Sequence, residues 1–544
     1  MKTTRPVLLS LFIGVCVRAL GASAGYPLES PVSMEAARDR MAVLARSLSD
    51  KPVQPALLHE WANGRLYLRN ARFLLETYEP SEALLAAVSN DIQAAESALA
   101  SLERGVPPPW VEGFRLEGYY SDNDGSFQPF LRYLPKGAKT GGKRPLLVYL
   151  HGYNPFYNLV NWAHIPDSVL AFSEREGFAV AAPFGRSNTD YQGIGEQDVL
   201  RVIEEMKHRY AIDEDRVILS GHSMGASGVW TIGAHYPDRF AGLFAVSGRG
   251  DYYVWHGVSR GELPAYKQRL IDAEFAGSLV QNLRHIPIFC AHGAWDDLVP
   301  VREARHIAEA VKKVNPDLIY NEYEFEGHGA WDMAFESPEA QEWLRQCRRA
   351  EAPADYRAAH PRYASATNAL LSPLGPVNDA FLSPFLFVLA GDPPSPETVK
   401  RFKGAVFDWY RYAKARPRTA VERAVDPDSL RSFNVFLFGE PETSELIRAA
   451  LADSPVHVTS NRFVVGARAY PRQGNGLYVV RPSPWNSEKR AVVQCGLPWG
   501  EGLPENHKYD FLPDYIVYSS DRDEDGSNTA LAAGFFNALG QLEN

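Results

Sequence analysis

Serine is a weak nucleophile until a base removes its proton, so the surroundings of a serine decide whether it does chemistry. Ser223 stands in the run Gly221-His222-Ser223-Met224-Gly225. A Gly-x-Ser-x-Gly run between a strand and a helix makes a tight elbow that exposes the serine oxygen at the end of a sheet. The apolar residues Val217-Ile218-Leu219 precede this run, and Ala226-Ser227-Gly228-Val229-Trp230 follow it as a helix start. Both flanks therefore suit the elbow.

An acid and a base are expected later in the chain, in the order serine, carboxylate, histidine. The apolar stretch 286–291 ends in His292-Gly293-Ala294-Trp295-Asp296-Asp297-Leu298-Val299-Pro300. A carboxylate just past a strand end reaches the same edge of the sheet as Ser223. Asp296 and Asp297 compete for that role, spacing does not separate neighbours in a loop, and Asp296 is our choice. The base candidate is His328 in Glu326-Gly327-His328-Gly329, directly after the last strand of the alternating region. His222 adjoins the nucleophile and suits packing or the pocket wall better than proton transfer, and His151 and His292 fit local hydrogen bonds at strand ends. The developing oxyanion needs two donors. The backbone N–H of Met224 follows the nucleophile, and that of Tyr153 follows Leu150-His151-Gly152; the Tyr153 side chain is also a candidate for the substrate pocket.

Further substrate contacts are weaker. Trp331 lies three residues past His328 and is the best pocket candidate among the tryptophans; Trp162 and Trp230 read as core. Arg249, in Ser247-Gly248-Arg249-Gly250-Asp251, either binds a polar substrate group or pairs with Asp251 or another carboxylate. Asp521-Arg522-Asp523-Glu524-Asp525-Gly526 opens like a calcium loop, but position twelve is Ala532 where a glutamate is required, so a solvated acidic turn is expected.

These groups must be carried by a frame. Residues 1–24 read as a signal peptide: Lys2 and Arg5 precede a short apolar run, and Ala22-Ser23-Ala24 fits a cleavage site. Residues 33–109 read as helical over 34–48, 66–78 and 81–102, ending at Pro107-Pro108-Pro109. Residues 110–350 open with a hairpin, 114–120 with 128–134, and then alternate buried strands (145–150, 178–182, 217–220, 242–247, 286–291, 319–325) with helices such as 195–210 and 301–314. That alternation predicts a mostly parallel sheet with helices on both faces. After a linker at about 350–374, residues 365–544 read as a second, smaller α/β domain, with strands at 385–389, 434–438, 463–465, 477–480, 491–494 and 515–518 and helices at 396–415 and 445–451.

Bulk composition narrows the partners. With 544 residues, several domains are expected. The net charge of −10 comes without a recurring basic stripe, so nucleic acid is not an expected partner. No second long apolar stretch follows residue 24, so no membrane association is expected once the signal is removed. Beyond the signal, Cys290, Cys347 and Cys495 allow one disulfide at most, and buried thiols suit the pattern equally.

Four matched elements, His151-Gly152, Gly221 to Gly225, Gly293 to Pro300, and Gly327-His328-Gly329, resemble the α/β-hydrolase superfamily. Within it they are similar to the polyhydroxybutyrate-depolymerase and feruloyl-esterase-like branch, which overlaps prolyl-oligopeptidase catalytic domains. The resemblance covers roughly residues 110–345. It implies an α/β-hydrolase sheet, a Ser223, Asp296 and His328 triad, and ester hydrolysis through an acyl-enzyme with no metal or organic cofactor. The expected substrates are acyl or feruloyl esters of polysaccharides, or small aliphatic esters, met outside the cell or in the periplasm. The competing expectation is a peptidase of the prolyl-oligopeptidase type. Those enzymes usually carry a β-propeller ahead of the catalytic domain, and a helical segment of about 75 residues is too short for one. A third reading, a non-catalytic binding module, fits poorly with an intact serine, acid and base.

Overall fold

In the computed structural model, residues 33–49, 53–109, 111–138, 142–162, 164–349 and 375–543 are described. The expected signal peptide at 1–24 and the expected linker at about 350–374 lie outside them.

Eight strands form the first sheet, in the order β1-β2-β4-β3-β5-β6-β7-β8. β1 (Gly113–Ser121) and β2 (Ser126–Leu134) form the hairpin, closed by a turn in which Gly125 takes φ +79°. β2 lies antiparallel to β4 (Ala179–Pro183). β4, β3 (Arg144–Leu150), β5 (Ile212–His222), β6 (Gly242–Val246), β7 (Ile288–Gly293) and β8 (Ile319–Tyr323) then run parallel. Parallel strands need crossover helices on their faces, so central strands are buried on both sides. β3, β4, β6 and β7 are indeed buried throughout. One face packs against helices Ile194–Arg209, Met224–His235 and Arg302–Lys312, through Val202, Ile203, Val229, Ile232 and Ile307. The other packs against helices Asp167–Glu176, Trp331–Phe335 and Pro338–Gln346, through Val169, Phe172, Trp331, Phe335 and Leu344.

Ahead of this sheet stand helices Met34–Ser49, Leu58–Thr77 and Glu82–Arg104, which share an apolar core of Met41, Leu44, Leu75, Leu84, Val88 and Ile92. The middle helix starts eight residues before the expected 66. Pro55 begins a short 3₁₀ turn that leads into it, and Gly64, a poor helix former, is accommodated because Leu48 and Ala98 pack over it. This helix sits on the hairpin: Leu66 packs above Gly118, Tyr67 Oη donates to the Leu116 carbonyl at 2.8 Å, and Asn63 Oδ1 accepts from Gly118 N–H at 2.7 Å.

The second domain is smaller and richer in strand. Its main sheet has the order β10-β9-β11-β16-β15-β17-β18, from β9 (Phe385–Leu389), β10 (Thr419–Val421), β11 (Asn434–Phe438), β15 (Asn475–Ser483), β16 (Asn486–Gly496), β17 (Tyr515–Arg522) and β18 (Asn528–Gly534). β10, β9, β11 and β16 are parallel and the rest antiparallel. Three short strands, β12 (Val456–Val458), β13 (Arg462–Val465) and β14 (Arg468–Pro471), form a separate small sheet. Helix Pro396–Ala413 buries Trp409 completely against Phe381, Phe385 and Phe387.

The two domains share a core. Ile194, Tyr266 and Ala273 of the first belong to one apolar cluster with Val377, Phe381 and Trp409 of the second. The acidic run 521–526 is a largely exposed turn, as expected, with Asp521, Arg522, Glu524 and Asp525 open to solvent. Its loop receives the ammonium of Lys267, which donates to Asp523 Oδ2 at 3.0 Å, Asp525 Oδ2 at 2.7 Å and Ser527 Oγ at 3.1 Å. The Lys267 side chain is 3% exposed. The cation in this loop is therefore a lysine from the other domain.

Candidate active site

The elbow follows from sterics. Ser223 takes φ +59° and ψ −122°, a region costly for a residue with a Cβ. The turn is kept tight by glycine. A Cβ on Gly225 would lie 2.0 Å from the Leu150 carbonyl oxygen, and one on Gly221 would lie 2.4 Å from the Gly225 carbonyl carbon. Ser223 N–H donates to the Val246 carbonyl at 2.9 Å, which ties the elbow to β6. The helix Met224–His235 that follows is buried along its whole length. Met224 opens that helix, so its N–H has no acceptor one turn back. The loop after β3 passes beside Ser223: a Cβ on Gly152 would sit 3.4 Å from Ser223 Cβ and 3.9 Å from Oγ.

Three of the expected residues meet. Ser223 Oγ lies 2.8 Å from His328 Nε2, and His328 Nδ1 lies 2.8 Å from Asp296 Oδ2. The other carboxylate oxygen of Asp296 accepts from the N–H groups of Leu298 at 3.0 Å and Val299 at 2.8 Å. Asp296 is buried while Asp297 points to solvent. Backbone donors thus fix the Asp296 carboxylate, which in turn holds the imidazole with its proton on Nδ1 and its lone pair toward serine. This arrangement can pass the Ser223 proton to His328 as the oxygen attacks a carbonyl.

The neighbouring histidines hold this geometry. His222 Nε2–H donates to the His328 carbonyl at 2.6 Å. Burial lowers the pKa of His222, favouring the neutral ring. His292 Nε2–H donates to the Val299 carbonyl at 2.8 Å and lies 3.1 Å from Asp296 Oδ2; burial lowers its pKa too. His151 lies within hydrogen-bond distance of the Gly152 and Phe184 carbonyls, as expected for a strand-end histidine.

Two of the proposed substrate contacts are elsewhere. Trp331 is 6% exposed; its ring stacks on Phe335 at 5.2 Å and meets the edge of Tyr149 at 5.0 Å. It is core under the site rather than pocket wall, because one helical turn past His328 the chain already packs on the sheet. Arg249 donates to Asp190 Oδ2 at 2.6 Å, with its guanidinium 4.8 Å from the Trp255 ring centroid. The ion pair is present, with Asp190 in place of Asp251, which instead caps a short helix through Val254 N–H. Tyr153 is 55% exposed and directly follows Gly152, which lies beside Ser223. Trp162 and Trp230 are core, as expected, and Cys290, Cys347 and Cys495 are buried free thiols.

Sequence reasoning passed over Glu303. It is 1% exposed, and its closest cation is Arg302 Nε at 3.5 Å. Burial raises its carboxyl to about 7; Arg302 acts against this and Asp251 adds to it. A carboxyl whose folded value lies above its ordinary 4.5 holds its proton better when folded, so its contribution is full below pH 4.5 and is lost as pH rises toward 7. Glu303→Gln is therefore expected to raise the Tm at pH 8, by roughly 2–4 °C per kcal/mol recovered, and to leave it unchanged at pH 4.5. Thermal scans at the two pH values read this, and a gap independent of pH would contradict it.

A model described as the prolyl oligopeptidase family matches residues 186–348. Over 188 residues the chain is 31% identical to a bifunctional acetylxylan esterase/xylanase of Neocallimastix patriciarum, a match covering 33% of this chain and 23% of that protein. The chain thus spans under a quarter of that relative's length. Among solved structures, a thermostable esterase is 24% identical with a TM-score of 0.33, over 43% of this chain and 63% of its own. An acylaminoacyl peptidase of Pyrococcus horikoshii is 14% identical with a TM-score of 0.37, over 46% and 44%. The segment from β1 to helix Pro338–Gln346 has an α/β-hydrolase-like fold with a strained serine elbow, is similar over residues 186–348 to the prolyl oligopeptidase family, and is joined to a second, smaller domain.

Proposed function

We propose that this protein is a serine ester hydrolase that works through an acyl-enzyme on acyl esters, with those of polysaccharides as its main substrates and export from the cytoplasm as its route. The observation that carries this reading is the unbroken relay from Ser223 Oγ through His328 to the buried Asp296 carboxylate. His328 Nε2 takes the Ser223 proton while Oγ bonds to the ester carbonyl carbon. The N–H groups of Met224 and Tyr153 receive the oxyanion. His328 then protonates the leaving alcohol, activates a water, and the acid departs with Ser223 reprotonated. The chemistry asks for no metal. Among the described residues, no group of His, Cys, Asp and Glu is arranged to hold one, and no helix is long and apolar enough to cross a membrane.

The polysaccharide part of the reading is supported by the similarity to a protein named for acetylxylan esterase and xylanase activities, and export by the apolar N-terminal run. A second reading, a serine peptidase, is favoured by the partial match to the prolyl oligopeptidase family. One assay set divides them: p-nitrophenyl acetate, methyl ferulate, acetylated xylan and a proline p-nitroanilide, each with wild type and Ser223→Ala. Ester turnover that falls by at least about 10⁴-fold in Ser223→Ala is the expected result. Ester turnover surviving in that variant overturns the nucleophile, and cleavage of the anilide alone makes the protein a peptidase.

A further inference from the structure

The two loops that carry Asp296 and His328 also carry two of the most exposed aromatic side chains among the described residues. Trp295 is 68% exposed and Phe325 is 75% exposed. Their ring centroids lie 6.0 Å apart at 83°, one ring edge-on to the other. Trp295 N–H donates to the Glu326 carbonyl at 2.9 Å, so this pair is tied to the same backbone that orients the relay. The loop after β3, on the oxyanion side of Ser223, adds Tyr153 at 55% and Phe156 at 78% exposure. Exposed tryptophan and phenylalanine so close together forgo burial that would stabilise the fold, and such patches mark binding surfaces.

We propose that Trp295 and Phe325 form a stacking platform for the sugar rings of a neutral, acyl-substituted polysaccharide, so that the main chain of the substrate is held while one of its ester groups enters at Ser223. This rests on the ester-hydrolase reading and names its substrate class. The choice of a sugar follows from the shape of the surface. An alkyl or aromatic acyl group gains most from an enclosed apolar pocket, whereas these rings stand open to water. A pyranose presents an apolar C–H face and a rim of hydroxyls; it covers an open ring with the first and leaves the second in water. In the edge-to-face contact the edge-on ring turns neither of its faces to the other ring. The exposed carboxylate of Glu324, next in sequence to Phe325, accepts hydrogen bonds from sugar hydroxyls and repels an anionic chain. The net charge of −10 acts in the same direction. A polyuronate is therefore a poor occupant.

Binding is separable from hydrolysis in a Ser223→Ala background. Native gels cast with acetylated xylan are expected to retard Ser223→Ala, and Trp295→Ala added to it is expected to weaken the apparent affinity at least tenfold. Trp295→Tyr is expected to recover most of the loss, and polygalacturonate to cause no retardation. With Ser223 intact, Trp295→Ala is expected to lower the ratio of kcat/KM on acetylated xylan to that on p-nitrophenyl acetate at least tenfold. Circular dichroism verifies the fold of each variant. Should Trp295→Ala misfold, Phe325→Ala is read by the same gels and ratio. Absence of retardation in the parent, equal retardation after Trp295→Ala, or equal retardation by polygalacturonate overturns the platform. Xylan binding without Ser223-dependent ester turnover overturns the ester reading and leaves the platform standing.

Discussion

Asp296→Asn lowers kcat/KM on p-nitrophenyl acetate by about 10⁴-fold, while Asp297→Asn leaves it within about threefold. The two aspartates are adjacent, so proximity and net charge predict similar effects; the difference comes from hydrogen bonding. The Asp296 side chain bridges Val299 N–H and Leu298 N–H on one oxygen and His328 Nδ1 on the other. An asparagine keeps its amide oxygen on the two backbone donors, so its NH₂ faces His328 Nδ1. Two donors cannot share that contact. The imidazole is driven to the tautomer with its proton on Nε2, where it has no lone pair for Ser223. Geometry and fold survive, and proton transfer does not. Steady-state kinetics with matched thermal scans make the measurement. Equal losses in both variants, or a larger loss at Asp297, would refute the assignment of the acid.

The same loop shows which parts of the site are legible in sequence. The strand 217–220, the glycines at 221 and 225 and the order of serine, acid and base follow from local rules, because the elbow is a local steric object. The choice between Asp296 and Asp297 was open in sequence, since it depends on which carboxylate meets the Leu298 and Val299 N–H groups, a matter of loop geometry. Trp331 shows the converse error. Closeness in sequence to His328 suggested the pocket, but the helix Trp331–Phe335 turns its ring down onto Phe335 and Tyr149. Trp295 carried no sign of exposure, because composition predicts burial for any tryptophan.

In the second domain, β9, β11 and the helix Glu445–Leu451 fall where apolar runs predict them. The short strands Thr419–Val421, Val456–Val458 and Arg468–Pro471 do not. Each has only three or four residues, too few for alternation to register, and each is fixed by its partner strand. Lys267 in the 521–527 loop is further out of reach. The acidic residues give the loop its sign, but nothing in the sequence says that its cation is 256 and 258 residues upstream.

Arg186→Met is expected to give a large loss of stability. Arg186 is 1% exposed. Its Nη1 donates to Asp124 Oδ2 at 2.8 Å and its Nε to Asp198 Oδ1 at 3.2 Å. Both carboxylates are fully buried. Methionine fills most of the volume, and φ +59° at this position disfavours both side chains alike, so the change isolates the charge. Two buried carboxylates then share no cation. Removing one partner of a buried pair costs about 3–5 kcal/mol, which lowers the Tm by roughly 10 °C. Burial already raises the pKa of Asp198 against the pull of Arg186. Without the arginine it rises further, so the deficit is full at neutral pH and shrinks as pH falls and the carboxyl takes a proton. Arg186→Lys keeps a charge and is expected to lose about half as much. A Tm gap that stays constant from pH 7.5 to 5 would contradict the electrostatic account. The consequence reaches beyond one side chain. Asp124 lies in the β1–β2 turn, where the Asn123 carbonyl accepts from Phe385 N–H at 2.9 Å and Trp409 Nε1–H reaches Asp124 at 3.3 Å. Arg186 itself reaches the Ala413 carbonyl at 3.4 Å. The second domain thus closes over the charge cluster that anchors the loop between β4 and helix Ile194–Arg209. That loop contains Tyr191, whose ring packs on Gly228 in the helix behind Ser223. The second domain is therefore a structural wall of the hydrolase half. A chain cut after residue 349 opens this cluster to water and is expected to lose the elbow along with it.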